Sequence, residues 1–182
     1  MQVKDIVKRA AKNLGREDLI QSLEADRTEG EAGTLIDCYN LVENEIALEY
    51  IPLKAEEEFT PAEGGIAYAR FSHAPVNVVK VQDKRGVRVN FELFPAFLRL
   101  PEGVGAVRVL YAYAPAKKGL SDKSEFTEKI SERLLAFGVA SEFCLVRGQY
   151  SEAAVWEKKY REALRAACTS SGTLRVRARR WA

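Results

Sequence analysis

Val3, Ile6, Val7, Ala10, Ala11 and Leu14 recur at the three- and four-residue intervals that line one face of a helix. Gly15 follows, where it can end that helix in the left-handed conformation that other residues resist. A second helical piece follows over 16–23, and the polar stretch DRTEGEAG at 26–33, with its two glycines, reads as a loop. Leu35, Tyr39, Val42 and Ile46 then restore helical spacing as far as Pro52, predicting a long helix over 34–50.

From Lys54 the period shortens to two. Val87, Val89, Phe91 and Leu93 alternate with polar residues after a turn at 83–86, which predicts a hairpin with the strand at 76–81. The segments 97–100 and 107–113 repeat the alternation across Pro101 to Gly105 and read as a second hairpin, with a further strand near 66–71. Together they predict one small antiparallel sheet over 54–116. Helical spacing returns after the turn AKKGLSDKS, where Ser121 or Ser124 can supply a capping oxygen. Phe126, Ile130, Leu134, Phe137, Ala140 and Cys144 mark one stripe, ending near Gly148. A last helix over 151–167 places Ala153, Trp156, Tyr160, Ala163, Leu164 and Ala167 on one side, with Lys158, Lys159 and Arg161 on the solvated side.

The expected class is therefore α+β. A helical bundle body of about four helices is contributed by 1–53 and 117–168, interrupted by an inserted antiparallel β lobe at 54–116, and a basic, extended C-terminal arm covers 169–182. Helix pairs separated by a sheet must reunite to bury their stripes, and Leu134, Phe137, Trp156 and Tyr160 are expected in that core.

Composition changes this picture little. The 47% hydrophobic and 30% charged content of the 182 residues is that of an ordinary globular chain, with room for one well-buried domain and a smaller lobe. No apolar run approaches the ~20 residues of a bilayer span, and the N-terminus lacks a signal-peptide core, so synthesis in the cytoplasm and no membrane partner are expected. Cys38, Cys144 and Cys168 form no CxxC pair and read as small hydrophobes. The net charge is +2, but the last fourteen residues hold four arginines and no acid, leaving −2 on the rest.

The search for chemistry is largely negative. His73 is the only histidine and lies in a probable inter-strand turn, which excludes a zinc site built on several imidazoles. No GxSxG, GxGxxG or GxxxxGK[ST] occurs. Glu56, Glu57 and Glu58 are consecutive on an extended segment and alternate faces, which suits a charge-blunted edge strand better than a cation site. Trp156 and Tyr160 are read as core in preference to a base-stacking platform. No catalytic residue, metal site or cofactor is expected, and the chain is not expected to be an enzyme.

The arm differs. LRVRARRWA has only Leu174, Val176 and Trp181 to bury, too little to fold unaided. It reads either as a free chain end or as a segment that orders on a partner, with Arg175, Arg177, Arg179, Arg180 and Trp181 as the contacting residues.

The helix pair SERLLAFGVASEFCLVRGQYSEAAVWEKKYREAL, with VKDIVKRAAKNLGRED at the N-terminus and an inserted sheet, resembles bacteriophage head–tail connector or adaptor (neck) proteins. The likeness covers most of the chain and rests on element order and on the pattern A-x-x-W-x-x-x-Y-x-x-A-L of the last helix. It implies a virion structural protein of the neck, made in the host bacterial cytoplasm. In that family the body forms a homo-oligomeric ring, usually twelvefold, through which DNA passes without sequence-specific contact. The C-terminal segment docks on the portal protein, and the opposite face receives the next neck or tail protein. The simplest members are nearly all-helical, so a lobe of this size matches only those with a sheet insertion. The alternative from another class is a non-specific nucleic-acid-binding protein that uses the arginine arm as a phosphate clamp; the −2 body argues against it, because a phosphate-tracking surface would extend onto the body.

Overall fold

Val3, Ile6, Val7, Ala10 and Ala11 form the fully buried side of helix α1 (Val3–Asn13). Gly15, at φ +68°, turns the chain into α2 (Glu17–Glu24), which buries Leu19 and Leu23. The computed structural model describes residues 1–62, 64–126 and 130–169. It divides the chain into one unit made of Met1–Glu43 with the residues from Lys117 onward, and a second made of Asn44–Ala116.

In the first unit α1 and α2 are followed by α3 (Glu31–Glu45), and the chain returns as α4 (Glu132–Val146) and α5 (Tyr150–Thr169). Helix α1 packs on α4, and α4 on α5. The described residues thus hold five α-helices where about four were expected, because the 16–23 piece stands as a helix of its own. Helix α3 starts inside the expected loop, at Glu31, and its regular ladder stops at Glu45; the remainder, Ile46–Tyr50, is a π-helical turn.

The start of α4 also differs from the expectation. Neither Ser121 nor Ser124 caps it; Ser131 does, accepting from the Leu134 amide at 3.2 Å. Ser124 is otherwise engaged, donating to the buried Glu43 carboxylate at 2.8 Å. Phe126 and Ile130 are buried without belonging to a helix.

The loop before α4 is tied to α3 by polar contacts. Asn40 Nδ2 donates to the Lys118 carbonyl at 3.0 Å while Asn40 Oδ1 accepts from the Lys118 amide at 2.6 Å, a two-point clamp on one peptide unit. Glu43 Oε1 accepts from the Tyr39 hydroxyl, the Ser124 hydroxyl and the Glu125 amide. Burial, the largest cause, pushes the Tyr39 phenol far up. The N-terminus joins the same loop, with Val3 N donating to Asp122 O and Ser124 N to Met1 O, each at 3.0 Å. Close packing of α3, α4 and α5 depends on Gly138, where a Cβ would lie 2.7 Å from Val42 Cγ1.

The second unit carries two three-stranded antiparallel sheets instead of one. The first, in the order β1-β6-β3, pairs β1 (Leu53–Phe59) and β3 (Pro75–Asp83) on either side of β6 (Val107–Tyr113). The second, in the order β2-β5-β4, places β5 (Phe97–Arg99) between β2 (Gly65–Ala67) and β4 (Glu92–Leu93). One expected hairpin is therefore corrected, since 97–100 does not pair with 107–113; the other is shortened to the turn at 83–86 and the Gln82–Arg88 bridge, beyond which 87–93 leaves β3. Alternation reports that a segment is half-buried, not which neighbour it pairs with. The expected strand near 66–71 shortens to β2 followed by the 3₁₀ turn Tyr68–Arg70. A common core joins the two sheets, built on Ile66, Leu98, Val109 and the ring contacts of Phe71 with Phe59 (4.4 Å) and Tyr111 (4.8 Å).

Candidate functional site

The polar side of α1 carries Lys8, Arg9 and Lys12, with Lys8 and Lys12 one turn apart. On α4, Arg133 and Phe137 are likewise one turn apart, and on α5 so are Trp156 and Lys159, three residues apart. These residues converge on a concavity of about 970 Å³ within the first unit, whose walls also include Asn13, Glu17, Ile20, Leu134 and Glu162.

Among the described residues, three of its five cations have no acid partner. Lys8 pairs with Glu24 and Arg9 with Glu132, each at 2.7 Å, whereas Lys12, Arg133 and Lys159 have no ion pair among the described residues. Two of these three rest on aromatic faces. The Arg133 guanidinium lies 5.2 Å from the Phe137 ring centre, and the Lys159 ammonium 4.0 Å from that of Trp156 and 5.9 Å from that of Phe137. The two ring centres are 5.8 Å apart, so the ammonium lies within reach of both. The ring quadrupoles steady the cations while leaving N–H donors for an anion. Asn13, also in the wall, has a buried Nδ2 with no hydrogen-bond partner among the described residues. Carboxylate or phosphate oxygens meeting an apolar floor are the chemistry this arrangement can bind.

Two sequence expectations are corrected here. Trp156 is half-buried, not a core residue, whereas Tyr160, Phe137 and Leu134 are buried. Lys159 is exposed, as expected, but lies over the Trp156 ring instead of on the side opposite it. The W-x-x-K spacing was the available signal, since residues three apart on a helix share a face.

The remaining expected positions are dispersed. Arg175, Arg177, Arg179, Arg180 and Trp181 lie outside the described residues. His73 stacks on Tyr113 in the second unit, at 4.2 Å between ring centres. Glu56, Glu57 and Glu58 lie on β1, an edge of its sheet. Glu57 faces inward to accept from the Tyr111 hydroxyl and from Ser72, while Glu56 and Glu58 are exposed. Cys38 and Cys144 are buried, which pushes their thiols up to about 12 and about 11 respectively; Cys168 is half-buried. Among the described residues no group of three or more His, Cys, Asp or Glu side chains could hold a metal ion, and no helix is long and apolar enough to cross a membrane. No protein-family model and no curated protein matches this chain.

Proposed function

We propose that the chain is a structural virion protein, a head–tail adaptor forming a ring in the neck of a tailed bacteriophage or prophage, between the portal and the tail. One observation supports this reading above the others: helices from before and after the β segment form one unit, and the β unit is inserted between them in the sequence, the order the family resemblance implies. Such a protein works by presenting surfaces. The first unit offers a cationic, aromatic-floored concavity and exposed apolar side chains at the α4–α5 turn. In this reading the arm, through Arg175, Arg177, Arg179, Arg180 and Trp181, orders on an acidic groove of the portal, and the opposite face receives the next neck or tail protein.

The test is genetic. In the phage that encodes the chain, loss of the gene leaves DNA-filled heads without tails, and a chain lacking 172–182 keeps its melting behaviour yet fails to restore tail attachment. Normal yields of tailed particles from the truncated chain would overturn the role of the arm. DNA binding that falls steeply with salt and disappears on deleting 169–182 would favour a nucleic-acid clamp instead.

A further inference from the structure

The concavity lies on one side of α5, and the other side of the same helix carries features that complement it. Tyr150 is 71% exposed, at the start of α5 beside the exposed Val146 at the end of α4. Glu157 lies seven residues after Tyr150, about two helical turns, and so on the same side. Glu142 of α4 stands close to it: burial first, and then the charge of Glu157, push the Glu142 carboxyl up. This flank therefore joins two neighbouring carboxylates, with Arg161 paired to Glu157, to an exposed aromatic ring. Lys159 is nine residues from Tyr150, about two and a half turns, and points the opposite way.

We propose that the cationic concavity receives the Tyr150 flank of a second copy of this chain, with the Tyr150 ring on the Trp156–Phe137 floor and Lys12, Arg133 and Lys159 facing Glu142 and Glu157. Three observations on the described residues select this occupant. The concavity has three cations without ion pairs among the described residues, and the flank has two neighbouring carboxylates, of which Glu157 pairs with Arg161 and accepts from Ser141. The two surfaces lie on opposite sides of one helix, so a copy cannot fill its own concavity. The chain's own arm is excluded by sign, because its four arginines would meet cations. A nucleic-acid strand is the other occupant this chemistry admits, and the test below separates the two.

A contact that joins two different surfaces is head-to-tail, and repeating it generates a closed ring or an open filament. The inference deepens the adaptor reading by naming the lateral contact of its ring, but its test stands apart from tail attachment.

Sedimentation of the full chain over a range of concentrations provides that test. The wild-type chain associates beyond the dimer. Lys159→Glu alone, or Glu142→Lys alone, weakens association at least about ten-fold, the loss expected when like charges meet across a contact. An equimolar mixture of the two restores it, because alternating copies then place opposite charges at every contact. Tyr150→Asp, at an exposed position that leaves folding intact, weakens association in the same way. A wild-type chain that stays monomeric overturns the proposal, as does unaltered association of the charge variants or failure of the mixture to recover. Lys159-dependent binding of a short oligothymidylate by a monomeric chain overturns it in favour of nucleic acid. Loss of this contact with tail attachment retained leaves the adaptor reading standing; charge-swap recovery in a chain whose loss leaves tails attached removes the adaptor reading and keeps the contact.

Discussion

The Ser124 hydroxyl donates to the Glu43 carboxylate at 2.8 Å, joining positions 81 residues apart in sequence. Glu43 is 1% exposed, and among the described residues its Oε1 takes three donors while Oε2 has none. The entire β unit lies between the two residues in the chain, so this contact helps close the helical unit across the insertion.

Removing the carboxylate strands two buried donors and one half-buried donor at once. Glu43→Ala is expected to lower unfolding free energy by about 3 kcal/mol, and Ser124→Ala by about 1 kcal/mol, from the cost of unsatisfied buried groups. Denaturant midpoints measure both. A loss from Glu43→Ala no larger than from Ser124→Ala would show that water replaces the missing acceptor.

Gly138 separates α4 from Val42 of α3 and Tyr160 of α5, whose ring carbon would be 3.1 Å from an added Cβ. Gly138→Ala is expected to destabilise by about 1–3 kcal/mol through overpacking. Val42→Ala in the same chain should recover part of that loss, a coupling that a double-mutant cycle reads directly. Strict additivity would mean that the helices move apart instead.

Tyr160 and Trp156 should respond unequally to truncation. Tyr160 is 2% exposed and Tyr160→Ala is expected to cost about 3–5 kcal/mol, the range for a buried aromatic. Trp156, half-buried in the concavity wall, should cost only about 1–2 kcal/mol on removal because less of its apolar area leaves water. Thermal unfolding of the two variants compares them; equal losses would place Trp156 in the core after all.

Burial and the neighbouring Glu157 charge raise the Glu142 pKa above its ordinary 4.5. The folded chain then binds a proton more readily than the unfolded one, so this carboxyl reduces stability as pH rises through the window above 4.5 and has no such effect well below it. Glu142→Gln is accordingly expected to stabilise the chain at neutral pH, with the gain vanishing in acid. Urea titrations at several pH values follow it, and a gain that persisted unchanged at low pH would point to packing instead of ionisation.

The sequence by itself determined what depends on local repetition. The stripe Val3, Ile6, Val7, Ala10, Ala11 marked α1 and its buried face, and Gly15 marked its end, because helix period and left-handed backbone are properties of a few adjacent residues. The change to period two marked the β segment for the same reason, and with it the α+β class.

Tertiary structure decided which segments meet. Two sheets replaced the expected one because Phe97–Arg99 pairs with β2 and β4 and not with Val107–Tyr113, and nothing in an alternating pattern names its partner strand. Ser124 was a plausible cap by composition, but a buried carboxylate on α3 claimed its hydroxyl and the cap passed to Ser131. The concavity was likewise invisible along the chain, since Lys12, Arg133 and Lys159 come from three helices whose polar sides look solvated until packing brings them around Trp156 and Phe137. Local periodicity encodes which side of a helix is apolar; only the packing of α1, α4 and α5 determines which polar residues share a surface.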